Sequence, residues 1–326
     1  MKKLILVAAF FVCSFEPALG SEDPALQQLL TAAEQHANLY YDQTTPFQLD
    51  VDFVAQIEVP LEGHLTFKWE AKDRWWRKVV MGDFQQIEVK NGDWHYTLRN
   101  IDFTPLRVGN LIGLLDHGAE SSQLVAKKEK HRTEHGIEMN CIEVEHKGYV
   151  ESSRDVCLSP ASNEILIDEW KEPPDEQHRE QFADYFDFGK HQYPRTLELL
   201  VNGSKVITAH VVNMTSAPFD ESLLTPPEGA IARRECADLQ HAVPVSTPDP
   251  AYPRDASNDK LMGDSTVAMT VLTDGSVTDL RLVGRATHSM NDAALQSLKK
   301  WKFKPAMCGT EPVVTDITVV VSFRLD

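Results

Sequence analysis

The feature that most constrains this chain is a period of two. Phe47, Leu49, Val51 and Phe53 alternate with polar residues, and Leu65, Phe67 and Trp69 do the same. Successive side chains on a strand point to opposite faces, so each run buries one face and wets the other. Comparable runs recur at 74–81, 84–90 and 93–98, and again at 123–129, 136–146, 153–158, 165–170, 184–188, 196–201 and 206–214. Asn91-Gly92 and Asn202-Gly203 punctuate them, and residues of this type take the positive φ a tight hairpin needs. Two stretches break the rhythm. Leu26, Leu29, Leu30, Ala33 and Ala37 follow Pro24 at helical spacing, and 106–115 reads as a second, short helix. Many short antiparallel strands with few helices give an α+β class, mostly antiparallel β: a curved half-barrel sheet plugged by helices. Pro226-Pro227-Glu228-Gly229 ends this region.

The start of the chain reads as an address. Lys2 and Lys3 precede an apolar run from Leu4 to Phe15, and Ala18-Leu19-Gly20 supplies small residues before Ser21. That layout predicts a signal peptide over 1–20, removed on export. The run is shorter than the ~20 residues of a transmembrane helix. The expected location is the periplasm, with membrane association if the leader is retained. Without Cys13, which lies in the leader, Cys141, Cys157, Cys236 and Cys308 remain. An even number in an oxidising compartment predicts two disulfides, with three connectivities open. Cys141 and Cys157 fall on neighbouring predicted strands, which favours pairing them and leaves Cys236 for Cys308. The 49 acidic residues outnumber the 32 basic ones, for a net charge of −17. Such a surface repels phosphate backbones and excludes nucleic acid as a partner.

A length of 326 residues allows two domains. The expected division is 21–235 for the antiparallel domain, 236–249 for a proline-containing linker, and 250–326 for a small C-terminal domain. In the last, Ser265–Leu272 and Val277–Val283 flank Asp274-Gly275-Ser276 as a hairpin. A helix follows, expected to open at Ser289 with Asp292 as a capping partner. Leu295, Leu298 and Trp301 mark its buried face, and Val313 to Leu325 reads as one long strand.

That segment resembles the TonB C-terminal domain. The resemblance rests on Pro250-Ala251-Tyr252-Pro253, Gly263, Asp274-Gly275-Ser276-Val277, and Asn291-Asp292-Ala293-Ala294-Leu295. It continues through Trp301-Lys302-Phe303-Lys304-Pro305-Ala306, Gly309 and Pro312-Val313. It implies a small β-hairpin–helix–strand fold whose last strand offers an edge to the TonB box of an outer-membrane receptor. Asp316, Thr318, Val320 and Ser322 would face that partner. A classical energy transducer also has a membrane helix and a long Pro/Lys/Glu spacer, and neither pattern is read here. The resemblance therefore implies a binding or adaptor protein in TonB-linked transport.

Residues 24–230 resemble the LolA/LolB half-barrels. The shared pattern is the leading helix, the Gly63-x-Leu65-x-Phe67-x-Trp69 strand, the Arg74-Trp75-Trp76-Arg77 strand, and Phe219 with Pro226-Pro227-x-Gly229. This resemblance implies an alternative role as a carrier of lipid or lipoprotein acyl chains. Phe53, Phe67, Trp69, Trp76 and Trp94 would line the cavity; the bland reading of each is ordinary core.

Catalytic signals are weak. His131-Arg132-Thr133-Glu134-His135 fits the H-x-x-E-H pattern of inverted zinc proteases, which needs both histidines on one helix face. Here Gly136 follows at once and strands flank the motif, so a solvated hairpin is the expectation. No nucleophile elbow, P-loop or dinucleotide fingerprint is present. The expectation is a non-enzyme with no metal and no cofactor.

Overall fold

The structure is a computed structural model and describes residues 23–40, 45–116, 124–146, 153–172, 176–284 and 286–325. The expected leader, with Cys13, lies outside them. Helix α1 (Pro24–Ala37) is capped by Asp23, which accepts from the Ala25 and Leu26 amides. Strands β1 (Phe47–Ala55), β2 (Leu61–Ala71), β3 (Arg74–Met81), β4 (Phe84–Asn91) and β5 (Trp94–Arg99) precede α2 (Leu106–Leu115). Then come β6 (Leu124–Glu134), β7 (Ile137–His146), β8 (Ser153–Leu158), β9 (Ile165–Glu172), β10 (Glu176–Phe188), β11 (His191–Val201) and β12 (Ser204–Ser216). A 3-10 turn at Glu221–Leu224 leads to β13 (Ile231–Arg234).

These strands form one sheet, ordered β13-β5-β4-β3-β2-β1-β12-β11-β10-β9-β8-β7-β6. The β1–β12 pairing joins the meander before α2 to the meander after it. The alternation sets the faces. Phe47, Leu49, Val51 and Phe53 turn inward with Leu65, Phe67 and Trp69, against Leu30 of α1 and Val108, Leu111 and Leu114 of α2. Each such side chain contributes about 1.5–3 kcal/mol by leaving water. Gly63 is required here: a Cβ would lie 2.2 Å from the Phe53 ring and 2.6 Å from the Val80 carbonyl oxygen.

The C-terminal part contains β14 (Leu239–Gln240), β15 (Val243–Ser246), α3 (Arg254–Asn258), β16 (Gly263–Val271) and β17 (Val277–Gly284). It continues with α4 (His288–Leu298), β18 (Lys302–Lys304), β19 (Ala306–Cys308), β20 (Glu311–Val313) and β21 (Thr315–Phe323). Strands β17-β16-β21 form a sheet, and α4 covers one face with Met290, Ala294 and Leu298 against Val267, Met269, Val271, Val321 and Phe323. Gly275 has φ +77° and its carbonyl accepts from the Phe303 amide at 2.9 Å; a Cβ there would meet the Phe303 oxygen at 1.9 Å.

Three local expectations change. The cap of α4 is Thr287, which accepts from the Met290 amide, while Asp292 sits 3.4 Å from His288 on the exposed side. A hydroxyl one residue before the helix reaches the free amides better than a carboxylate in its second turn. The expected long last strand is divided: β20 folds back on β19, and β21 begins beyond Val314. The stretch 236–249 is folded onto the C-terminal part, with β14 paired to β19 and β15 to β18. The Trp301 indole donates to the Pro248 carbonyl at 3.2 Å. Both expected disulfides, Cys141–Cys157 and Cys236–Cys308, are formed. Among the described residues, no helix is long and apolar enough to cross a membrane.

Candidate functional site

Strand β21 lies at the edge of its sheet, paired to β16 from Thr315↔Val271 through Phe323↔Gly263. Its alternation decides its faces. Val321 and Phe323 are buried, and Ile317 and Val319 pack against the same core. Asp316, Thr318, Val320 and Ser322 fall on the opposite, exposed face, and Val320 is 57% exposed. The other flank of β21 carries an edge of backbone donors and acceptors. At its start, an isolated parallel bridge joins Val314 to Arg233 of β13.

The four side chains named from the sequence thus share one face but not one environment. Asp316, though exposed, is tied to its neighbours. Arg233 donates to it through Nε at 3.0 Å and Nη2 at 3.1 Å, and the Thr270 hydroxyl donates at 2.6 Å. Burial pushes the Asp316 pKa up, but these bonds and the Arg233 and Arg281 charges outweigh it and lower it overall. Thr318, Val320 and Ser322 remain outward.

Asp316 belongs to a polar seam between the two parts. Gln86, Glu88, Lys90 and Thr97 are buried on the inner face of β4 and β5. Arg99 bonds Asp279 of β17 and donates to Thr104 at 3.0 Å, and Thr104 donates to Gln86 at 2.6 Å. Thr270 bridges Asp279 and Asp316. Lys90 pairs with Glu235, beside Cys236. The seam was not legible from the sequence, because its residues read as a solvated alternating face.

A second site lies on the inner face. A cavity of about 460 Å³ is lined by Tyr40, Phe67, Trp69, Trp75, Arg77 and Asp116 among others. Trp69 stacks on Phe47 with centroids 5.4 Å apart, and the Arg77 guanidinium carbon lies 5.2 Å from the Trp75 ring centroid. Tyr40 donates to Asp116 at 3.1 Å. Burial raises the Asp116 pKa, and Arg77 only partly offsets it.

Of the five aromatics expected in a cavity, Phe53, Phe67 and Trp69 are buried on the inner face. Trp76 and Trp94 are not there. Trp76 pairs with Lys68 and Val89, and Trp94 stacks near Tyr96 with Arg234 over its ring, all on the outer face. The pleat explains the correction: in Trp75-Trp76 only one indole can face inward, and it is Trp75, edge-on to Phe67.

The histidine motif lies on the β6–β7 hairpin rather than on a helix. His131 bonds Asn140 at 2.8 Å, Glu134 is taken by Arg132 and Arg179, and His135 occupies the turn with φ 50°. Elsewhere, Glu172, Glu176 and His178 bring ligand-type atoms within 4.8 Å of one another, though His178 is already bonded to Glu176 at 2.8 Å.

Residues 248–325 match the family model described as the Gram-negative bacterial TonB protein C-terminal. No curated protein matches the chain. Among solved structures, the chain is similar to a putative outer-membrane lipoprotein-sorting protein domain from Vibrio parahaemolyticus, with 10% identity and a TM-score of 0.42. That likeness covers 61% of this chain and 95% of the other. A LolA superfamily protein from Nitrosomonas europaea is 11% identical, with a TM-score of 0.42, covering 61% of this chain and 96% of the other. The TonB C-terminal domain of Pseudomonas aeruginosa is 24% identical over 28% of this chain and 89% of its own, with a TM-score of 0.24. These likenesses concern fold alone.

Proposed function

We propose that this is an exported, envelope-associated protein that works by binding rather than by catalysis. Its C-terminal domain would capture an extended segment of an outer-membrane or envelope protein by adding that segment as a strand to β21. A TonB-dependent receptor is the partner class this reading favours. The observation that carries it is the open edge of β21, with Thr318, Val320 and Ser322 exposed beside it. An incoming strand satisfies the edge amides and carbonyls, while alternate side chains give specificity. The family match over 248–325 supports the same reading, and two disulfides suit an oxidising envelope.

Deleting β21 is a poor test, because Val321 and Phe323 are core residues and their loss would unfold the domain. A proline at Val320 removes a backbone donor and clashes with strand addition while sparing the buried side chains. The Val320→Pro variant is expected to lose binding to a receptor-derived TonB-box peptide in calorimetry, with the fold retained by circular dichroism. Unchanged affinity in a folded variant would sink the edge-strand reading.

A second reading is favoured by the aromatic inner cavity: carriage of an acyl chain of lipid or lipoprotein. Its volume and its Trp69, Trp75 and Phe67 walls suit a chain, and Arg77 would meet an anionic head. Native mass spectrometry of protein from its own envelope tests it. A lipid adduct that disappears in Trp75→Asp, but persists in the outer-face variant Trp76→Asp, supports carriage. A bare mass under both conditions opposes it.

A further inference from the structure

The β6–β7 hairpin runs past the end of its neighbour. Strand β8 pairs with β7 only as far as Leu158↔Asn140, so Ile137–Met139 and the facing Arg132–Glu134 extend beyond it. This tip reaches the strands β9 and β10. Arg132 donates to Glu169 at 2.5 Å and also bonds Glu134; Arg179 bonds Glu134 and lies 3.5 Å from the second Glu169 oxygen. Two arginines and two glutamates from three strands thus close a ring that clasps the hairpin over the sheet.

Behind the clasp is a cavity of about 490 Å³. Its apolar side is formed by Met139, Leu166 and Ile167. Met139 and Ile167 are 3% and 5% exposed and belong to one small apolar cluster with the Cys141–Cys157 bond. That disulfide ties β7 to β8 at the base of the hairpin and so fixes where the tip lies. Ile137, 57% exposed, stands at the lip. This cluster is on the face of the sheet opposite the helices, separate from the aromatic inner cavity.

The charge around the cavity is acidic on balance. Glu134, Glu164, Asp184 and Glu198 line it, against Arg179 and His135. Arg179 is already engaged by Glu134 and Glu169, and Lys205 pairs with Glu198, so Glu164 and Asp184 carry the rim's excess of negative charge. Asp184 sits at positive φ within β10, where the ladder to β11 skips one pair but keeps its register on both sides, and it accepts from the Thr196 hydroxyl at 3.1 Å. The Glu164 charge reaches Tyr185, whose pKa burial has already raised and which this carboxylate raises further. An apolar floor under an acidic rim selects a ligand with a cationic head on an apolar body. It repels anions with the same tail.

We propose that this cavity binds a small amphiphilic cation, its apolar body seated on Met139, Leu166 and Ile167 and its head among Glu164, Asp184 and Glu198. The volume lies within the roughly 300–1,000 Å³ typical of ligand pockets, which are mostly apolar with a few placed polar groups. This cavity is separate from the β21 edge and from the aromatic cavity of the inner face.

The test is calorimetry on the full chain with decyltrimethylammonium below its micellar concentration. Decyl sulfate and tetramethylammonium serve as the matched anion and the matched head without a tail. The alkyl cation is expected to bind at least about tenfold more tightly than either, a difference of ~1.4 kcal/mol, and to weaken as salt is raised. Leu166→Arg fills the floor with a cation and should abolish binding. The double variant Glu164→Gln, Glu198→Gln changes only partly exposed rim groups; it should weaken binding by about tenfold and flatten the salt dependence. Trp75→Ala, in the aromatic cavity of the inner face, tells the two sites apart: the Leu166-dependent binding should persist in it. Decyl sulfate that binds as tightly as the cation and is lost in Leu166→Arg overturns the proposal. So does binding that survives Leu166→Arg but is lost in Trp75→Ala, which would place the probe in the aromatic cavity.

Discussion

The inner face of the large sheet carries two clusters of charge, and they resolve the same problem in opposite ways. At β3–β5, Arg77 sits 2.8 Å from Glu88, and His95 lies 3.2 Å from the same carboxylate. At β8–β10, Arg154 donates to Asp168 through Nε at 2.6 Å and again through Nη2, while Glu180 stands opposite Asp168 on the next strand. Burial pushes the Glu88 pKa up, but the Arg77 charge and His95 overcome it and bring it down to about 2. Burial pushes Glu180 up too; there the Asp168 charge adds to the push, Arg154 only partly opposes it, and the value reaches about 8. The two glutamates share residue type and face. They differ in the number of cations per carboxylate, and that ratio decides which one is ionised at neutral pH.

The largest effect expected from breaking this contrast comes from Arg77→Met. The variant keeps the volume of the stem but leaves Glu88 buried without its cation, a loss of about 3–5 kcal/mol. Urea unfolding monitored by tryptophan fluorescence measures it. A loss below about 1 kcal/mol, the scale of an exposed pair, would show that Glu88 is solvated in solution.

Acid and base titration should separate the clusters by sign. Glu88 has a folded pKa below its unfolded one, so its stabilisation is present above about pH 4.5 and is lost as pH falls toward about 2. A shift of this size is worth on the order of 3 kcal/mol. Glu88→Gln should therefore flatten the acid limb of the stability curve. Glu180 behaves in reverse. Between about pH 4.5 and 8 the folded state holds a proton that the unfolded chain has released, so stability falls as pH rises through that window. Glu180→Gln should remove this decline, leaving the variant more stable than the parent at pH 8 and close to it at pH 5. Thermal midpoints across pH 3–8 read both. Matching slopes in the two variants would contradict the cation-counting account.

The same chemistry explains what could be read in advance. The period of two exposed β1, β2 and the later meander, because one face of each buries apolar side chains. It also set Cys141 beside Cys157 on neighbouring strands, and the even cysteine count left Cys236 for Cys308. The first half of β10 escaped notice. Its Glu176-Gln177-His178-Arg179-Glu180-Gln181 run has no apolar alternation, since its inward residue Glu180 joins a charge cluster and its outward residue Arg179 joins the clasp. Strands β13, β14 and β15 were hidden for another reason. They are four residues or fewer, and their pairing partners lie far away in sequence, at β5, β19 and β18. The β21 edge was legible as a strand, but the capture of Asp316 by Arg233 required knowing that β13 passes beside it. Indoles at 75 and 76 could be assigned to opposite faces by the pleat, and only the fold shows which is inward.

The smallest effect expected lies at the outer rim of the seam between the two parts. Arg234 reaches Glu311 at 2.7 Å, yet the Glu311 side chain is 66% exposed. A pair in water gains little attraction, costs side-chain order and is screened by salt, so Arg234→Ala should change stability by no more than about 1 kcal/mol. The variant also removes the cation over Trp94, whose fluorescence should shift. Arg99 gives the contrast, because its pair with Asp279 has both side chains only 10% exposed. If Arg234→Ala instead costs as much as Arg99→Ala, the seam is one cooperative network in which exposure does not set the worth of a pair. Additive losses, small at the rim and large inside, would mean that the buried carboxylates and their arginines hold the two parts together and the rim merely closes over them.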